Sequence, residues 1–241
     1  MSKYGNRVAK LSGLAMLALV AIGTTRADAL LIWNGTSPAP NDSTGWGGLG
    51  PDGTTIASGF TATSTGGVTI TGSFAPGLSG LTSIQCPAAP SCSWTGGFPA
   101  GDHLIWTLDG TGVGSGPLTL GFSKAVLAGG VEIQADAPGA FTAQVEAFNG
   151  GTLLGTETLT SANGAPIFIG AQDTTADITS LVFDLTACTP AGGCDVHDFA
   201  VDTLLSINPG VTPPPTPEPG TLALLGSSLL GFAALRRRRR Q

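Results

Sequence analysis

From Leu30 onward the apolar positions come in short alternating bursts rather than in helical stripes. The clearest burst is 141–148, where Phe141, Ala143, Val145 and Ala147 fall on one face and Thr142, Gln144 and Glu146 on the other. A period of two is that of an extended strand with one buried side. Asn149-Gly150 follows, a dipeptide suited to a tight hairpin because both residues tolerate left-handed backbone. It predicts an antiparallel partner over 152–160. The same reading places strands at 54–63, 68–74, 103–108, 118–122, 130–135, 167–169, 178–185 and 199–207. No stretch of this region sustains a period of 3.6 long enough for a packed helix. Many short strands separated by Gly, Pro and Asn predict an all-β, two-sheet β-sandwich.

Both ends break this pattern. Lys3, Arg7 and Lys10 precede an apolar run over 11–22, and Ala27-Asp28-Ala29 follows with Ala at both positions that signal peptidase reads. Charge, a short apolar run and A-x-A in that order predict a secretory signal over 1–29, cleaved after Ala29. The other end runs VTPPPTPEP over 211–219, is apolar over 220–235, and closes on Arg236, Arg237, Arg238, Arg239 and Arg240. The prolines keep 209–219 extended and short of backbone donors, which makes it a linker. Residues 220–235 carry no charge and read as one short transmembrane helix, about 24 Å long at 1.5 Å per residue. That is somewhat less than a hydrocarbon core of about 30 Å, a gap that flanking side chains, snorkelling arginines among them, can close. The arginines of 236–241 stay on the cytoplasmic side, which places 30–208 outside.

The order Pro217-Glu218-Pro219, apolar segment, arginine cluster resembles the PEP-CTERM sorting signal of Gram-negative bacteria. The resemblance covers about the last twenty-five residues. It implies an exosortase as processing partner, an inner-membrane-anchored precursor with a periplasmic domain, and a destination at the cell surface or in an exopolysaccharide-rich matrix or biofilm. Residues 131–207 are also similar to the second half of extracellular domains seen before such tails. The matching features are Phe168-Ile169-Gly170, Asp177-Ile178, Leu181-Val182-Phe183 and an acidic residue within Phe199-Ala200-Val201-Asp202-Thr203-Leu204. That likeness implies a jelly-roll order for the sandwich.

Charge narrows the partners. Residues 30–208 hold fourteen carboxylates and one basic side chain, Lys124; the net charge of −6 conceals this because the other bases lie in the two ends. Such a domain cannot neutralise phosphates, which excludes nucleic acid, and it repels acidic polysaccharide unless cations intervene. Cys86 and Cys92 frame one short loop, Cys188 and Cys194 another with the same interval. An exported chain with four cysteines predicts two local disulfides, Cys86–Cys92 and Cys188–Cys194. No metal site is assigned, since two histidines and no C-x-x-C argue against zinc.

No catalytic residue is assigned either. There is no G-x-S-x-G, and the histidines stand as Asp102-His103 and Asp195-Val196-His197-Asp198, typical of solvated strand entries. Calcium, which takes oxygen donors, has Asn41-Asp42, Asp52, Asp195, Asp198 and Asp202 as candidates, without the spacing of a known loop; no cofactor is expected. Trp33 and Trp106 read as core. Trp46 and Trp94 lie in Gly-rich loops and are the candidate glycan contacts, because an exposed indole offers a flat face to a sugar ring. Three functional classes follow: a non-catalytic surface or matrix protein touching polysaccharide or other surface proteins, a carboxylate-based glycan hydrolase or lyase, and a purely structural coat component. The first is expected.

Overall fold

The computed structural model describes residues 30–75, 80–85, 97–108, 114–189 and 194–210. The strands are β1 Leu31–Trp33, β2 Asp42–Thr44, β3 Thr55–Ile56, β4 Phe60–Thr63, β5 Thr69–Ser73, β6 Leu81–Gln85, β7 His103–Trp106, β8 Leu118–Val126, β9 Ala128–Ala135, β10 Phe141–Asn149, β11 Thr152–Ser161, β12 Ile167–Gln172, β13 Ile178–Cys188, β14 Phe199–Val201 and β15 Leu204–Ile207. Among the described residues the helix content is one 3-10 turn, Gly47–Leu49. All strand pairings are antiparallel. One sheet has the order β11-β10-β13-β8-β5-β4, and the other runs β1-β12-β9-β14-β7-β6-β3, with β15 on β9 and β2 on β15. The described residues are therefore all-β, in two sheets.

The alternation in 141–148 does what its period demands. Phe141, Ala143, Val145 and Ala147 are buried, while Thr142, Gln144 and Glu146 are half-buried on the other side. The buried set joins Leu118, Leu120, Leu181 and Phe183 of the same sheet, and Val131, Ile133, Ile169, Phe199 and Val201 of the other, in one core between them. The Val, Leu, Ile and Phe side chains among them contribute about 1.5–3 kcal/mol each relative to exposure. The β10–β11 hairpin turns at Gly150, whose φ of 57° lies where glycine is favoured,.

Two predicted strands are each broken in two. Residues 54–63 supply β3 to one sheet and β4 to the other, with the crossing made at Gly59, φ 84°. Residues 199–207 follow β9 throughout, from Phe199↔Ala135 to Ile207↔Ala128, and Asp202 N still donates to Glu132 O at 3.0 Å. Their far-side neighbours differ: β7 lies against β14, and β2 against β15. The sheet forks at Asp202. The strands β1, β2 and β6 were not predicted.

The two ends of the domain meet the same margin. Leu31 pairs with Gln172, Gln172 with Ala128, and Ala128 with Ile207. The chain thus enters at Leu30 and leaves past Asn208 at one end of the sheet.

Candidate functional site

The fork at Asp202 gathers the most unusual side chains. Trp46, directly after β2, turns its indole into the gap between β14 and β15 and is fully buried. Its Nε1 donates to the Asp202 carbonyl at 2.9 Å, and its ring meets Phe60 edge-on at 6.4 Å. Phe60 in turn lies across Gly72, its partner on β5. The indole therefore joins the forked sheet to the edge of the opposite one. This corrects the expectation for Trp46. The glycines around it permit an inward turn, and a Cβ added at Gly47 would lie 3.1 Å from the His103 ring. An indole with no exposed face cannot stack on a sugar. Trp33 is core as expected, whereas Trp106 is only partly buried.

Three carboxylates share the fork although they lie far apart in sequence. Asp102 is pushed up by burial first, then by the charge of Asp202 and a hydrogen bond with it. Glu132 is pushed up by burial and by the charges of Asp202 and Asp102. Like charges this close disfavour one another, which adds to burial in raising the Asp102 and Glu132 carboxyls,. Sequence reading missed this pairing because a contact across two strands leaves no local spacing.

A second acidic group lies along β14. Asp198, 8% exposed, accepts from Trp106 Nε1 at 2.6 Å. Burial raises its carboxyl to about 6 despite that bond, and the charges of Asp136 and Asp195 add to the shift. Asp184 is also raised, by burial first, against the pull of His197, whose Nδ1 lies 3.2 Å from Asp184 Oδ1. A carboxyl raised in the folded state adds stability below its unfolded value of 3.8 and loses it as pH rises through the folded value. Asp198→Asn keeps an oxygen for Trp106 and carries no charge. It is expected to raise the melting temperature at pH 7 by several degrees and to change it little at pH 4. A melt of both chains at the two pH values checks this, and equal shifts at both would refute the assignment.

The candidate calcium donors form no common group among the described residues. Asp42 oxygens accept from Ser64 Oγ at 2.5 Å, Thr65 Oγ1 at 2.8 Å, Gly66 N at 2.6 Å and Ser43 N at 2.8 Å, and from Asn208 Nδ2. A carboxylate filled by hydrogen-bond donors has no lone pair to offer a cation. Asp52 is exposed. Among the described residues no three His, Cys, Asp or Glu side chains form a metal-holding group.

The disulfide Cys188–Cys194 is present, with Cα atoms 6.0 Å apart. It closes the loop between β13 and the approach to β14. Cys86, Cys92 and Trp94 lie outside the described residues, as do Ala27 and Ala29, the linker 211–219, the apolar segment 220–235 and Arg236 to Arg240. Among the described residues no helix is long and apolar enough to cross a membrane.

Past Asn208 the chain continues into the proline-rich stretch, the apolar run and the arginines. Residues 215–239 match the PEP-CTERM protein-sorting motif. The PEP-CTERM match takes in Pro217, Glu218 and Pro219, the whole of 220–235 and four of the five arginines. It gives the chain an exosortase as processing partner, export, and a precursor anchored through its C-terminal region. No curated protein and no solved structure matches the chain.

Proposed function

We propose that this chain is an exported surface or matrix protein whose jelly-roll-like domain acts by contact and not by catalysis. The observation that carries the proposal is the PEP-CTERM motif. In this reading signal peptidase removes 1–29 and the apolar segment 220–235 lodges in the inner membrane. Arg236 to Arg240 hold the cytoplasmic side, and exosortase acts at Pro217-Glu218-Pro219. The domain over 30–208 then reaches the cell surface or matrix.

Two features of the domain support a non-catalytic role. Asp102, Glu132 and Asp202 crowd one another through their charges, whereas glycoside hydrolysis sets an acid and a base or nucleophile on opposite sides of the bond to be cut. The His197–Asp184 pair is largely open to solvent, with the imidazole 46% exposed. Contact with other surface proteins is favoured over contact with acidic polysaccharide. Trp46 offers no stacking face, and an acid-rich surface repels polyanions.

The motif can be tested directly. Replacing Pro217, Glu218 and Pro219 by alanine is expected to leave a longer, membrane-bound precursor in the exporting host, where the unaltered chain yields a shorter released form. Intact mass of the two products reads the difference. Equal processing of both chains would sink the assignment of the cleavage signal.

A further inference from the structure

Among the described residues the exposed large apolar side chains are Leu31, Ile32, Leu153 and Leu159. All four lie on β1 and β11, the edge strands of the two sheets on one side of the molecule. These edges are neighbours, since Leu30 packs against Gly155. The remaining edges are short: β2 has three residues, β3 two and β4 four. Short edges protect a sheet from further pairing. β11 has ten residues, reads TLLGTETLTS, and contains no proline, lysine or arginine. Its guards are one charge, Glu157, and a register shift near Leu154 at one end, which leaves 155–161 regular.

The hydrogen-bonding direction along β11 follows from β10. Ala140 O accepts from Thr189 N, and Phe148 O from Thr179 Oγ1, both on the β13 side. Even-numbered residues of β10 therefore turn their backbone groups to β13 and odd-numbered ones to β11, as an antiparallel ladder alternates. The partners of the odd residues are Gly155, Glu157, Leu159 and Ser161. Thr156, Thr158 and Thr160 are left to present their backbone groups at the free edge.

We propose that β11 pairs antiparallel with β11 of a second copy, about a two-fold axis through Thr158. In that register Thr158 faces Thr158, and Thr156 faces Thr160, so every outward N–H and C=O finds its complement. Glu157 then faces Leu159 of the second copy, and no carboxylates stand opposite each other. The threonine side chains extend a row already begun by Thr142 Oγ1 and Thr160 Oγ1, 2.9 Å apart. Threonine pairs of this kind stabilise adjoining strands. Charge also selects this edge. With fourteen carboxylates against one lysine in 30–208, broad face-to-face association is repulsive, whereas β1 and β11 together carry one carboxylate. The pairing deepens the contact role proposed above and rests on it.

The test uses the full chain in an exporting host. Thr158→Cys, oxidised on intact cells, is expected to give a disulfide-linked dimer of the chain. Thr63→Cys, on the exposed edge strand β4, is expected to give none. Thr158→Pro removes an outward N–H without touching the β10 ladder. Its purified chain should therefore melt as the unaltered one does but sediment at half the mass. Absence of the cross-link with an unaltered chain that sediments as a monomer would overturn the proposal. So would equal cross-linking at Thr63, a dimer indifferent to Thr158→Pro, or a cross-link to a chain of another mass. Loss of processing in the Pro217, Glu218 and Pro219 variant, by contrast, bears on the tail and leaves these readouts in place.

Discussion

Asp42→Ala is expected to lower stability by several kcal/mol, because it strips the shared acceptor from a set of donors that cost about 1–3 kcal/mol each when buried without one. Asp42 is 4% exposed and ties three distant pieces of chain. Ser43 belongs to its own strand, Ser64, Thr65 and Gly66 lie in the β4–β5 turn, and Asn208 follows β15. Alanine would leave those donors facing a small void, and each buried donor without an acceptor costs about 1–3 kcal/mol. The turn and the chain exit would loosen together. Burial alone would raise the Asp42 carboxyl, but the hydrogen bonds from Ser64, Gly66, Thr65 and Ser43 outweigh it and hold the group below 3.8. Its stabilisation is therefore present above pH 3.8 and is lost as pH falls through the depressed folded value. Asp42→Asn should be less stable than the unaltered chain at pH 7, with the gap closing in acid. Thermal melts at pH 7 and pH 2.5 read both effects. A melting temperature for Asp42→Ala within 2 °C or so of the unaltered chain would contradict the role given to this residue.

The second large effect is expected at Trp46. Trp46→Ala removes a fully buried indole from the fork, which costs about 3–5 kcal/mol for a core tryptophan. It also leaves the Asp202 carbonyl without its donor. Trp46→Phe refills much of the space but restores no hydrogen bond, so it should fall between the two. The order of melting temperatures, unaltered above Phe above Ala, is the check. A Trp46→Ala chain as stable as the unaltered one would mean that the indole does not hold the fork.

The parts legible in the sequence were those with a local cause. The alternation of 141–148, the Asn149-Gly150 turn, the framed Cys188 and Cys194, and the Pro217 to Arg240 order each carry their meaning within a few residues. What escaped has causes at a distance. Asp42-Ser43-Thr44 reads as loop because two of its three residues are buried polar groups, and the partners of Asp42 lie at 64–66 and 208. Leu31-Ile32-Trp33 is too short to show a period. Trp46 was misjudged because glycine neighbours mark freedom of the backbone without telling which way the ring turns. Asp102, Glu132 and Asp202 meet only because β7, β9 and the β14–β15 line lie side by side.

The shared margin of entry and exit has a mechanical consequence. β15, the last strand before the tail, is bonded on one side to β9 and on the other to β2, with Asn208 N donating to Asn41 Oδ1 at 2.8 Å just past its end. A pull on the tether from the membrane is thus taken up in shear. The bonds of both ladders bear the load together, whereas a strand drawn sideways would part from its neighbours one bond at a time.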